Sequence, residues 1–218
     1  MPRELELNQK DWGCPKKLKA RKDTIIDMYR KHFHDKLPKE KQHWTMCGQC
    51  ATEDNQLVTG CELDQLTKEG LITPNQFYGV ETQKEIATLN SMLETEANFI
   101  NNDFYRAMVE EDNNDNFNPA IVNADMISMP ESAAEYLSKI IAFLTERTND
   151  VMLVCNLVLR CRCKHVGGSD IIKALNELPR FTMNIKHWEM ELKYYQYYGT
   201  GNNNTILGSI IFTKKIKE

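Results

Sequence analysis

Short apolar runs alternate with helix-period runs along most of this 218-residue chain, and that order constrains the fold more than any other feature. Residues 43–51, 77–81, 97–101, 119–125 and 150–159 read as strands, and 60–71, 82–96, 131–147 and 169–178 as helices. Strand–helix alternation implies a parallel sheet with right-handed crossovers. The end of the chain differs in character. Two β-rich runs, 181–198 and 205–213, flank a Gly/Asn turn and read as a hairpin. The expected product is an α/β domain with a seven-stranded, mostly parallel sheet that finishes in a C-terminal antiparallel hairpin.

The totals suit one well-buried domain of 25.3 kDa with 41% hydrophobic and 27% charged residues. No apolar run is long enough to span a membrane. Seven cysteines, an odd count, behind an N-terminus without a secretory pattern argue for a reducing, cytoplasmic setting. The net charge of −4 hides an asymmetry: through Lys41 there are 12 Lys/Arg against 7 Asp/Glu. Pro15 opens a basic helix in which Leu18, Ile25, Tyr29 and Phe33 form one stripe, and Pro38 ends it. Residues 1–42 are therefore expected to be a basic helical extension on an α/β domain of residues 43–218. Its cationic face suits a polyanion, although charge runs more often mark only a solvated face.

Phe77-Tyr78-Gly79-Val80-Glu81 is the stretch on which a binding site would be organised. It is a strand ending in one carboxylate, with a helix directly after it. In open α/β sheets, ligands lie in the crevice beyond the strand carboxyl ends, and a carboxylate there can accept both hydroxyl hydrogens of a ribose. The competing reading is a solvated glutamate at a strand end. The run Glu110–Asp115 is expected to be an exposed acidic loop.

Cys47-x-x-Cys50 and Cys161-x-Cys163-x-His165 invite a zinc reading, but their spacing lacks the paired signature of structural sites, so buried inert thiols are the default and no metal is expected. Arg160, Arg162, Lys164 and His165, with Lys186, could hold phosphates; Tyr194, Tyr195, Tyr197 and Tyr198 could stack on bases or simply pack as strand residues.

From about residue 43 onward, this order and its acidic strand ends resemble the Rossmann-like class I S-adenosylmethionine-dependent methyltransferases. The resemblance implies S-adenosylmethionine as cofactor, with Glu81 and the adjoining Thr82 at its ribose. It also implies Asp103 near the adenine, Phe104 covering the ring, and Asn123-Ala124-Asp125-Met126 facing both cofactor and acceptor. Asn123 and Asp125 become the catalytic candidates, with Asn123 also at the cofactor. Cys47, Gly48 and Gln49 take the place of the family's Gly-rich loop, with one glycine instead of three. Neither the Pro-Pro-aromatic motif of amine methylation nor the Pro-Cys pair of cytosine-C5 methylation is present. The resemblance and the basic segments together imply a methyltransferase acting on nucleic acid, held through the N-terminal helix and Arg160, Arg162 and Lys164. The alternative is a methyltransferase-like fold without catalysis that binds nucleic acid or protein.

Overall fold

A computed structural model describes residues 25–33, 36–46, 61–126, 130–147, 151–160, 188–199 and 204–214. Seven strands form one sheet: β1 (Gln42–Met46), β2 (Phe77–Glu81), β3 (Asn98–Asn101), β4 (Pro119–Met126), β5 (Met152–Arg160), β6 (Trp188–Gly199) and β7 (Asn204–Lys214). Their order across the sheet is β3-β2-β1-β4-β5-β7-β6. The first five are parallel, and β7 runs antiparallel between β5 and β6. The architecture expected from the alternation is the one observed.

Five described helices accompany the strands: α1 (Asp27–Phe33), α2 (Glu62–Lys68), α3 (Lys84–Leu93), α4 (Phe104–Asn113) and α5 (Pro130–Arg147). One departs from expectation. The acidic run at 110–115 is mostly the last turn of α4, not a loop, because Phe104, Ala107 and Met108 bury one helical stripe. Acidic groups are disfavoured at a helix C-terminus. Here Asp112 is paired with Arg147 at 3.2 Å, and Glu110 accepts a hydrogen bond from Asn102.

Strand alternation sends side chains to two cores. One face carries Trp44, Tyr78, Val80, Val122, Ala124 and Leu153 against α4 and α5. Among the described residues Trp44 is the largest fully buried side chain, stacked on Tyr78 at 4.9 Å and edge-on to Phe117 at 5.1 Å. The other face carries Phe77, Ile121, Met152 and Val154 against Ile25, Ile26 and Tyr29 at the start of α1, and against Leu63 and Leu66 of α2. The N-terminal residues 25–29 are thus part of the second core. At the outer margin of the sheet, the β6–β7 register shifts between Leu192 and Tyr194, which leaves Lys193 outside the ladder.

Burial also sets the response to alkali. Desolvation raises the pKa of Tyr29, Tyr78 and Cys155, and raises Tyr136 to about 12. Each of these groups keeps its proton in the folded chain at a pH where the unfolded chain has released it. Their stabilisation is therefore complete below about pH 9 and lost as pH rises through the ordinary thiol and phenol range toward 12. Urea midpoints should hold steady to about pH 8 and fall above pH 9. A midpoint still rising at pH 10 would contradict the buried placement of these groups.

Candidate functional site

Strand pairing aligns the candidate residues at one edge of the sheet. Thr45 of β1 pairs with Gly79 of β2 on one side and with Asn123 of β4 on the other. Two residues further along, Glu81 and Asp125 therefore point from the same face, with β1 between them. Two strand spacings separate their backbones, roughly 10 Å, which is wide enough for a ligand to lie across the strand ends.

Glu81 is half-buried, and its Oε1 accepts hydrogen bonds from the Gln83 N–H at 2.9 Å and the exposed Thr82 hydroxyl at 3.3 Å. These bonds hold the carboxylate against the turn into α3. Oε2 accepts none from the described residues. Asn101 fixes the same turn from β3: its Nδ2 donates to the carbonyls of Glu81 and Thr82 at 2.9 and 3.1 Å. A carboxylate with one oxygen anchored and one available suits a pair of ribose hydroxyls.

Asp103 is the N-cap of α4, with Oδ1 accepting from the Arg106 N–H at 3.1 Å. Its Oδ2 accepts the hydroxyl hydrogen of Tyr136 at 3.0 Å. Phe104, expected to cover an adenine ring, is only 3% exposed and belongs to the core between the sheet and α4. It offers no open face to the crevice.

Asn123 is sealed as well, at 1% exposure. Its Nδ2 donates to both oxygens of Glu62, at 3.0 and 2.9 Å. The Thr45 hydroxyl donates to Glu62 Oε2 at 3.0 Å, and His43 Nε2 lies 2.6 Å from Oε1. On the other side of the imidazole, Tyr29 Oη is 2.6 Å from Nδ1. A carboxylate only accepts, so Nε2 carries the hydrogen it shares with Glu62, while Nδ1 and the Tyr29 hydroxyl share the second bond. Burial, and secondarily the Glu62 charge, push the Tyr29 hydroxyl well above the usual phenol range.

This tyrosine–histidine–glutamate chain has the connectivity of a general-base relay. However, Tyr29 and His43 are both fully buried, so no substrate can reach either. Its work is to join α1, β1, α2 and β4 beneath the crevice. Asp125, half-buried and two residues beyond Asn123, is the β4 carboxylate nearest the opening.

Sequence reasoning missed Tyr29, His43, Thr45 and Glu62 as a group. The available signal was Glu62 beside Leu63 and Leu66, an acidic residue on the buried side of a helix, with no hint of its partner on another strand. Cys47, Gly48, Gln49, Cys50, Arg162, Lys164, His165 and Lys186 lie outside the described residues, as does the helix expected at 169–178. For Arg160 and the four β6 tyrosines only the backbone is described. Among the described residues, Cys61 and Cys155 are buried, and no group of three or more His, Cys, Asp or Glu is placed to hold a metal ion. Nor is any described helix long and apolar enough to cross a membrane. An open groove of about 380 Å³, lined in part by Tyr78, Asn98 and Asn116, lies at the opposite, amino end of β2 and β3.

Five parallel strands closed by an antiparallel hairpin, with acidic residues at the carboxyl ends of β2 and β4, match the architecture the resemblance implied. No family model and no curated protein matches the chain. Two solved structures are similar to the chain at low identity. One is Sp1610 of Streptococcus pneumoniae, provisionally assigned as a tRNA (m1A22) methyltransferase. It is 9% identical, with a TM-score of 0.46, over 89% of this chain and 71% of that one. The other is M. jannaschii TYW2, solved in complex with AdoMet. It is 11% identical, with a TM-score of 0.44, over 88% of this chain and 77% of that one. Likeness at this level says nothing of activity, and the strand order and register stand on their own.

Proposed function

We propose that the chain is an S-adenosylmethionine-dependent methyltransferase whose acceptor is a nucleic acid. The observation that carries this reading is Glu81, anchored through one oxygen at the carboxyl end of β2 and sharing a face with Asp125 across the crevice. The residues fit the cofactor in two places. Glu81 would accept the ribose hydroxyl hydrogens, and Asp103 would face the amino edge of the adenine. Phe104 does not fit its expected role as a ring cover.

When bound, the cofactor supplies a methyl group already activated on a sulfonium, so catalysis consists mostly of placing the acceptor in line. Asp125 is the residue able to receive a proton from the acceptor or orient it. Asn123 acts indirectly: its amide is spent on Glu62, which makes it part of the floor that sets the height of β4. The nucleic-acid acceptor is supported by the basic charge through Lys41 and by Arg160, Arg162 and Lys164.

Calorimetric titration of S-adenosylmethionine and S-adenosylhomocysteine into the wild-type chain and Glu81→Ala tests this reading. The wild type should bind both, and the variant should lose at least tenfold in affinity, the loss of a charge-assisted hydrogen-bond pair. A folded wild-type chain that binds neither compound would rule the reading out.

A further inference from the structure

The groove at the amino ends of β2 and β3 lies at the end of the strands remote from the crevice. Its lining joins Ser91 of α3, Thr95 of the following turn, Asn98 at the start of β3, Glu111 of α4, and Asn116. The hydrogens of this lining are spent inside the protein. Asn98 Nδ2 donates to the carbonyls of Asn75 and Phe77, at 3.0 and 3.3 Å. Only an amino group can serve two carbonyls, so the amide is fixed with Oδ1 left over. The Ser91 hydroxyl donates to the Ala87 carbonyl at 2.9 Å. Asn116 Nδ2 donates to Glu111 Oε2, and the same side chain is bonded to the Tyr78 hydroxyl. What remains are oxygens: Asn98 Oδ1, Asn116 Oδ1, the Ser91 lone pairs, and Glu111 Oε1, which accepts no bond from the described residues. Glu94 and Glu96 stand on either side of Thr95, and none of the lining residues is a Lys or Arg.

A groove of acceptors under negative charge selects a group that carries hydrogens and positive charge but no acceptor. The guanidinium of arginine meets this description with five N–H donors in a rigid fork, against three on an ammonium. We infer that the groove is a docking site for an arginine side chain carried by a partner polypeptide. Glu111 supplies a charge-assisted bond, and the amide and hydroxyl oxygens fix the plane of the fork. A polypeptide fits better than a free guanidinium compound because the groove is open and Met92, the residue beside Ser91, is 69% exposed. Methionine is a flexible apolar contact for the residues that neighbour the arginine.

The test is a titration of the isotope-labelled full chain, followed by two-dimensional NMR, with the blocked peptide Ac-Leu-Arg-Leu-NH2, its citrulline counterpart, and ethylguanidinium. Citrulline keeps the length of arginine but is neutral and replaces donors by a carbonyl oxygen. The arginine peptide should shift the amide signals of Asn98 and Asn116 saturably, and bind about tenfold tighter than the citrulline peptide. Glu111→Gln should weaken the arginine peptide about tenfold. Ser91→Arg sets a cation of the chain itself beside the groove and should abolish the shifts. Absence of any shift in the wild type, or equal affinity for the two peptides, would overturn the inference. Ethylguanidinium binding as tightly as the arginine peptide would overturn the polypeptide partner. Should Glu111→Gln lose its far-ultraviolet circular dichroism, Ser91→Arg decides: undiminished binding of the arginine peptide by that variant overturns the inference.

Discussion

Replacing Glu62 with alanine should lower the free energy of unfolding by about 3–5 kcal/mol, the range for removing one partner of a buried, hydrogen-bonded charge cluster. The side chains of His43, Thr45 and Asn123 depend on that carboxylate. All three are buried, so the bonds they give to Glu62 are lost without ready access to water. Thr45 and Asn123 retain longer contacts, to the Met46 carbonyl at 3.4 Å and to the Thr45 hydroxyl at 3.3 Å. The asymmetry between leaving donors orphaned and removing both sides gives a sharper check. Adding His43→Leu to the Glu62→Ala background should cost less than the single changes predict together, because the imidazole no longer needs a partner. Urea unfolding of the two single variants and the double variant measures this. A Glu62→Ala loss below about 1 kcal/mol would mean the carboxylate is solvated and the cluster is not a unit.

Trp44→Ala should produce a loss of similar size, about 3–5 kcal/mol, for a different reason. Trp44 is 0% exposed at the middle of the sheet, between Tyr78 and Phe117, and its Nε1 donates to Gln42 Oε1 at 2.8 Å. The variant leaves a cavity lined by rings, and it removes one of two donors to Gln42 Oε1, the other being the Asn118 N–H at 2.9 Å. In a domain of this size the shift in melting temperature should be about 6–20 °C. Trp44→Phe keeps much of the stacking and should lose noticeably less. Equal losses for the two variants would show that the indole ring's extra volume and its N–H contribute nothing.

The contrast between these two residues shows what could be read before any coordinates. Strand β2 was legible to the residue because Phe77 to Val80 is a compact apolar run that Glu81 closes. The hairpin of β6 and β7 was legible from its turn. In both cases the determinant is local. Helix α4 was not, because the acidic residues from Glu110 onward looked like a loop and masked the buried stripe of Phe104, Ala107 and Met108. Asn123 and Phe104 are assigned by the sequence to the crevice, yet Asn123 lies inside β4, Phe104 opens α4, and both are buried. Whether a side chain at a strand end faces solvent or core depends on which helix covers it. For Asn123 that covering group is Glu62, 61 residues away in sequence. Neither spacing nor composition carries that distance. Tyr136 shows the same limit: its partner Asp103 is 33 residues upstream on another helix.

The skipped Lys193 on β6 bears on how the molecule behaves among its own copies. β6 is the outer strand, 12 residues long, and an unbroken strand of that length would be a template on which a second chain could lay its own backbone. The displaced lysine interrupts that template between Leu192 and Tyr194, so no foreign strand can keep one register along the whole margin. At the opposite margin, β3 is only four residues long. Sheet growth is thereby discouraged at both ends, by brevity on one side and by a slip in register on the other.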